Sequence, residues 1–173
     1  MTPADAEALR RMGSSKALAD WLERTLAAET PLLRAVPDGP DTARPNRPSG
    51  RGWSRREELG HLIDSAVNNH NRFVRAALEP SYAGPGYAEN PWVAVHRYVD
   101  LPWTLLVEAW HAHNALLVPL VAGIPDGKLS TPCAIGGAAP VTLGFLIDEY
   151  VLHMQHHLDQ ILRREVVTRY PRG

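Results

Sequence analysis

The stretch that decides the fold is Ser54–Leu78, whose sequence is SRREELGHLIDSAVNNHNRFVRAAL. Ser54 is a residue type that caps helix N-termini, and Glu57 follows at the three-residue spacing of a capping box. Apolar residues then recur every three or four positions, beginning with Leu59 and Leu62, which places them on one face of a helix. The sequence therefore predicts a long amphipathic helix over this stretch, ended by the Pro/Gly-rich segment that follows.

Three more segments show the same helical periodicity. They extend from about Ser14 to Val36, from about Asp100 to Leu120, and from Thr142 to about Val166. Pro31 lies inside the first of these segments and is expected to kink or end that helix early, because proline removes a backbone donor and clashes with the preceding turn. Each segment therefore predicts a helix with one apolar stripe to bury.

The connections between these helices are predicted to be loops, since residues 37–52 and 124–140 are rich in proline and glycine. A short helix from Trp92 to about Tyr98 is expected after Asn90-Pro91, a pair typical of a helix start. No alternating run of five or more residues indicates a strand. The predicted fold class is all-α: a four-helix bundle with long connecting loops and a short extra helix, in one domain over residues 1–173. The order of the helices around the bundle is left open.

Composition excludes several classes of function. The chain has 173 residues, 45% of them hydrophobic, and a formal net charge of −1. Such a balance argues against binding to nucleic acid or to an anionic membrane. Cys133 is the single cysteine, so neither an internal disulfide framework nor a cysteine-rich zinc site is expected. No 18-residue apolar run or export segment is apparent, and we expect a cytoplasmic protein that acts on a small molecule.

Histidines are the clearest chemical feature of the last predicted helix, which contains YVLHMQHHLDQI at residues 150–161. His153 and His157 are four residues apart, so they share one face, one turn apart. Apolar residues extend that stripe, which would direct both imidazoles toward the bundle interior, where a metal would relieve the cost of burial. The alternative is a pair of surface or hydrogen-bonded core histidines. His156 lies on a neighbouring stripe, and a surface position is expected for it.

Two of these motifs together resemble a known family. The sequence EELGHLIDSA at residues 57–66, preceded by Trp53-Ser54, is similar to the second helix of the DinB/YfiT-like superfamily of bacterial four-helix-bundle metalloproteins. HMQHHLDQI at residues 153–161 is similar to the last core helix of that superfamily. The resemblance covers about residues 15 to 165. It implies a divalent metal held by His61, His153 and His157, and it favours a homodimer.

Three imidazole ligands leave coordination positions open for water or substrate, which is typical of a catalytic rather than a structural site. Imidazole suits several transition metals, among which we predict zinc or nickel. Asp64 is a candidate catalytic base or a partner that orients a ligand imidazole. Arg72 and Asn68 are candidate substrate-binding residues, Arg72 for an anionic group.

Members of the resembled superfamily include thiol-dependent S-transferases and a mycothiol-dependent maleylpyruvate isomerase. The resemblance therefore favours a metal-dependent transferase or isomerase that uses a low-molecular-weight thiol as co-substrate to attack small electrophiles. The first alternative is a metal-dependent hydrolase that activates water. The second is a non-catalytic metal-binding helical domain. The sequence does not separate a thiol nucleophile from water.

Overall fold

Four long helices form the body of the protein, and the computed structural model describes residues 3–168. The helices are, in chain order, α1 (Pro3–Met12), α2 (Ser15–Arg34), α3 (Pro40–Ala43), α4 (Arg55–Leu78), α5 (Glu89–His96), α6 (Trp103–Ala122) and α7 (Leu143–Ile161). Short 3₁₀ helices cover Arg47–Ser49, Tyr98–Asp100 and Asp126–Ser130. The bundle consists of α2, α4, α6 and α7, as the sequence predicts.

The order of helices around the bundle is not the order of the chain. Helices α2 and α4 each pack against both α6 and α7. The successive long helices α2 and α4 are therefore diagonal to one another, and so are α6 and α7. This arrangement needs long crossing connections, which explains why residues 35–54 and 123–142 are so extended. It also makes α4 and α7, the two histidine-bearing helices, direct neighbours.

The N-terminus of α4 has the predicted capping box. The Glu57 amide donates to the Ser54 hydroxyl at 3.2 Å, and the Glu57 carboxylate accepts from the Ser54 amide at 2.7 Å. Two otherwise unpaired donors are satisfied in this way. The cap fixes the start of α4 and thereby the positions of the residues on its first two turns.

Helix α6 supplies the centre of the core through Trp110 and Leu117, which are fully buried. Among the described residues it is the one helix that, by length and composition, could span a membrane, with a mean hydropathy of 1.3. The sequence reasoning, which sought an unbroken apolar run, missed it. Core helices of bundles have a similar length and composition. On the exposed side of α6, Glu108 forms an ion pair with Arg34.

A small sheet is the main departure from the all-helical prediction. Its strands are β1 (Tyr82–Gly84), β2 (Pro132–Ile135) and β3 (Val141–Thr142), in the order β1-β2-β3. Strand β1 pairs with β2 in parallel, and β2 pairs with β3 antiparallel. Because β1 follows α4 and β3 leads directly into α7, the sheet joins the C-terminal end of α4 to the N-terminal end of α7.

Helix α1 was not predicted. It lies against α2 and α7, where Arg11 Nε donates to the buried carboxylate of Asp148 at 2.6 Å. Its last residue, Met12, approaches α7 so closely that a Cβ at Gly144 would lie 2.1 Å from the Met12 carbonyl oxygen. Glycine at position 144 is therefore what allows α1 to seat against α7.

Three helix boundaries differ from the prediction. Helix α2 continues past Pro31 to Arg34, so the expected early end is wrong. The short helix α5 begins at Glu89, one residue before the expected Asn90 cap. Helix α7 ends at Ile161 rather than near residue 166, because Arg163 has a left-handed φ of 56° that terminates the helical path.

Candidate metal centre

Three histidine side chains meet in the interface between α4 and α7. His61 projects from α4, and His153 and His157 project from successive turns of α7. All three are buried, with 0%, 8% and 4% of their surfaces exposed. Their ring centroids are 5.0 Å apart for His61 and His153, 4.9 Å for His61 and His157, and 4.5 Å for His153 and His157.

The ring nitrogens converge on one point. Nε2 of His61 lies 3.0 Å from Nε2 of His153, and one nitrogen from each ring falls within 4.8 Å of the others. Tetrahedral zinc at about 2.0–2.1 Å from imidazole nitrogens would separate those nitrogens by about 3.3–3.4 Å. Small movements of the rings would therefore bring the three nitrogens to the spacing that one ion requires.

Burial favours the neutral form of two of these imidazoles, those of His61 and His153. It lowers the pKa of His61 to about 3, and the neighbouring His157 and Arg51 lower that pKa further. Burial likewise holds the pKa of His153 well below its ordinary value, with His157 and His61 as further causes. A neutral imidazole offers a lone pair to a metal, whereas an imidazolium does not. The electrostatics of the site therefore favour the ligand form of both residues.

Glu58 orients one of the three rings. Its Oε1 lies 3.2 Å from Nδ1 of His157, and its Oε2 lies 3.4 Å from Nδ2 of Asn46. Glu58 is fully buried. A carboxylate that accepts the Nδ1 proton directs the Nε2 lone pair of that histidine toward the cluster, which is a common arrangement around metal-binding histidines. The donor set and its carboxylate partner thus fit a divalent transition metal.

A cavity of about 160 Å³ adjoins His153. Helix α4 contributes one row of side chains to it, the segment after β1 contributes a second, and α7 contributes a third. The lining residues are Ser65, Asn69, Arg72, Tyr87, Glu89, Leu146, Glu149, Tyr150 and His153. The cavity is predominantly polar, and a small molecule inside it would contact the histidine cluster at one end.

Comparison with known proteins identifies the family. The family model described as the DinB superfamily matches residues 22–161. The chain belongs to the DinB superfamily. The match includes all three clustered histidines and most of the four-helix bundle.

Among solved structures, the chain is similar to YfiT from Bacillus subtilis, which is described as a probable metal-dependent hydrolase with an unusual four-helix bundle topology. The TM-score is 0.76 at 20% sequence identity, and the alignment covers 86% of this chain and 84% of that one. This similarity establishes the shared fold. A comparison with curated proteins finds no match.

The structure brings together His61, His153, His157 and the cavity residue Arg72, but it places Asp64 and Asn68 elsewhere. Asp64 is absent from the cavity lining; its Oδ1 accepts a 2.6 Å hydrogen bond from the Tyr98 hydroxyl, and burial raises its pKa. Asn68 donates to the Asp64 carbonyl oxygen at 2.8 Å.

Sequence reasoning missed three residues that the structure places at the site. Asn69, rather than its neighbour Asn68, lines the cavity. Glu149 also lines it, one helical turn before His153. Glu58 lies three residues before His61, a position from which a helical side chain can reach the same neighbouring helix. Helical spacing from each histidine, counted in both directions, is the signal that could have found the two glutamates.

Replacing Glu58 tests its effect on the histidine cluster. We expect Glu58→Gln to bind zinc about 10–100-fold more weakly than the wild-type protein, because the amide no longer accepts the His157 Nδ1 proton as a carboxylate does. Competition with a chromophoric chelator measures this change. Glu108→Gln, which removes an exposed carboxylate, is the matched control and should leave the affinity unchanged. Equal affinities in all three proteins would contradict the orienting role.

Proposed function

We propose that this protein is a metal-dependent hydrolase of small molecules, in which His61, His153 and His157 bind one divalent transition metal. The observation that carries the proposal is the convergence of three buried imidazole nitrogens next to a polar cavity. Three protein ligands leave room for further ligands, as in known catalytic zinc sites. Zinc or nickel is the predicted metal, since both accept imidazole readily.

A divalent metal bound there would supply Lewis acidity and lower the pKa of a nucleophile in the site. The side chains of the protein supply the remaining functions. Glu58 keeps the His157 ring in place through Nδ1. Glu149 is our candidate for the general base, because its carboxylate lines the same cavity as His153 and could accept the proton of an attacking water. Asp64 stays a second candidate for that role because it is one helical turn from His61, although it lies outside the cavity lining.

The size of the cavity favours water over a bulky thiol as the nucleophile. Pockets that enclose drug-sized ligands have volumes of about 300–1,000 Å³, whereas this cavity measures about 160 Å³. It encloses a small substrate together with water more readily than a substrate together with a peptide-sized thiol. The description of YfiT, which shares the fold, as a probable metal-dependent hydrolase supports the same choice.

A thiol-dependent transferase or isomerase is the second candidate, and Arg72 is the observation that favours it. A low-molecular-weight thiol with a carboxylate could place that group at Arg72 and its sulfur near the histidines. A non-catalytic metal-binding domain is the third. A cytoplasmic location and a homodimeric state also stay predictions.

The proposed base is tested on the zinc-loaded protein with a panel of small esters and amides. We expect hydrolysis without added thiol, and we expect Glu149→Gln to lower kcat by about 100-fold or more, because a general base contributes about 10²–10⁴ to such rates. Zinc content is measured on the same samples and should be unchanged.

The thiol candidate is separated from hydrolysis by optical spectroscopy of the nickel-loaded protein. Cysteine and 2-mercaptoethanol are added, and a sulfur-to-metal charge-transfer band is sought. Turnover that appears only with a thiol, together with such a band, would replace hydrolysis by thiol transfer. Stoichiometric metal binding without turnover, either with or without a thiol, would favour the third candidate, a non-catalytic metal-binding domain.

A further inference from the structure

Arg72 is a buried cation at the edge of the cavity that contains His153. It projects from α4, one turn beyond Asn69, and only 9% of its surface is exposed. Removing a guanidinium from water is costly unless an anion or several acceptors compensate it. The partners of Arg72 therefore indicate what the cavity is built to contain.

No carboxylate pairs with Arg72 within the part of the chain that the structure describes. Its Nη1 donates to Asn69 Oδ1 at 3.4 Å, and its Nη2 donates to the Pro85 carbonyl oxygen at 3.2 Å. Other poorly exposed arginines differ, since Arg11 pairs with Asp148 and Arg55 pairs with Asp41. Arg72 is thus a buried positive charge with two neutral acceptors and with the Tyr87 ring centroid 6.0 Å from its Cζ.

These two contacts fix the guanidinium without using up its donors. A guanidinium carries five N–H groups in a planar fork, so the two hydrogen bonds leave three N–H groups for a ligand. Asn69 is itself held in place, because its Nδ2 donates to the Ser65 carbonyl oxygen at 2.9 Å. The fork is therefore preorganised, and its geometry suits a carboxylate, which it can bind through two parallel hydrogen bonds.

Two acidic residues line the same cavity as Arg72. Glu89 forms an ion pair with Arg51, which compensates its charge. Glu149 contributes the second carboxylate of the cavity lining. An anion at Arg72 would therefore share the cavity with the ion-paired Glu89 and with Glu149.

We propose that Arg72 binds a carboxylate group of the substrate, so that the protein acts on small carboxylic acid anions. The carboxylate would lie against the guanidinium at one end of the cavity, and the reacting group would face His153 at the other. The volume of about 160 Å³ corresponds to about ten water-sized groups, which suits a small carboxylate. The orientation of the substrate between Arg72 and His153 rests on the proposed function, whereas the anion site rests on Arg72 alone.

The test is calorimetric titration with propionate and with propionamide, its uncharged analogue of similar shape. Both the zinc-loaded and the chelator-treated protein are titrated. We expect propionate to bind both forms and propionamide to bind neither. Arg72→Gln should weaken propionate binding by at least about tenfold, since a charge-assisted bidentate contact is lost. Arg75→Gln, which removes the same charge from an exposed arginine one turn away, is the matched control and should bind as the wild-type protein does.

Equal binding of propionate by the wild-type protein and Arg72→Gln, or equal binding of propionamide and propionate, would overturn the inference. Should Arg72→Gln fail to fold, Arg72→Lys keeps the charge but loses the fork, and it should bind propionate more weakly than the wild-type protein. Loss of zinc binding with retained propionate binding would refute the metal site while supporting the anion site. Zinc binding without propionate binding would refute the anion site while supporting the metal site.

Discussion

The variant His153→Ala is expected to bind zinc or nickel at least about 100-fold more weakly than the wild-type protein. Outer partners of metal ligands alone contribute about 10–100-fold to affinity, and His153 is a direct member of the cluster, with Nε2 3.0 Å from Nε2 of His61. Metal content after desalting, measured by plasma mass spectrometry on untagged protein, should fall from about one ion per chain to a small fraction of that. Any hydrolytic activity should fall with it.

His156→Ala is the matched control for that experiment. His156 lies on the same helix, three residues from His153, but it is not a member of the ligand cluster, and its Nε2 contacts Gln160. It should bind metal as the wild-type protein does. Helical circular dichroism should be the same for both variants, because the apolar core does not depend on either residue. A His153→Ala variant that retains one ion per chain would refute the ligand set.

The variant Phe73→Ala is expected to lower the free energy of unfolding by about 3–5 kcal/mol, the usual cost of removing a fully buried aromatic ring. Phe73 has no exposed surface and packs edge-on against Tyr150, with the ring planes at 83° and the centroids 5.8 Å apart. Its removal leaves a cavity that the surrounding side chains fill only in part. Urea denaturation followed by circular dichroism measures the loss.

Leu105→Ala provides the comparison for the Phe73 variant. Leu105 is 54% exposed on α6, so its truncation should change the free energy of unfolding by less than about 0.5 kcal/mol. Because Tyr150 also lines the cavity, Phe73→Ala should further weaken propionate binding, whereas Leu105→Ala should not. A loss below about 1 kcal/mol for Phe73→Ala would show that the core collapses around the site.

The four bundle helices could be predicted because each repeats its apolar residues over five or more turns. Their ends were harder to predict, since a proline within the last turn, as at Pro31, disturbs few hydrogen bonds. The strands span two to four residues, which is too short for alternation to be visible. The pairing of β1 with β2 joins residues about fifty positions apart, and no local pattern encodes such a contact.

The clustering of the three histidines could be predicted from the sequence, whereas Glu58, which contacts one of them, was missed. His153 and His157 reveal themselves by their spacing on one helix. Spacing alone leaves two candidates for the partner of His157, because Glu58 and Asp64 are both three residues from His61, on opposite sides. Which of them turns toward α7 depends on how α4 is rotated within the bundle. In the structure Glu58 contacts His157 on α7, while Asp64 contacts Tyr98.

The separation of the clustered histidines along the chain has a consequence for the order of folding. His61 and His153 are 92 residues apart, and Glu58 and His157 are 99 residues apart. Contacts at such separations form late, after local helices, because closing a long loop costs chain entropy. An ion could meet His153 and His157 on a nascent helix, but the third ligand arrives only when α7 docks on α4. Tight metal binding would then indicate that the bundle has finished assembling.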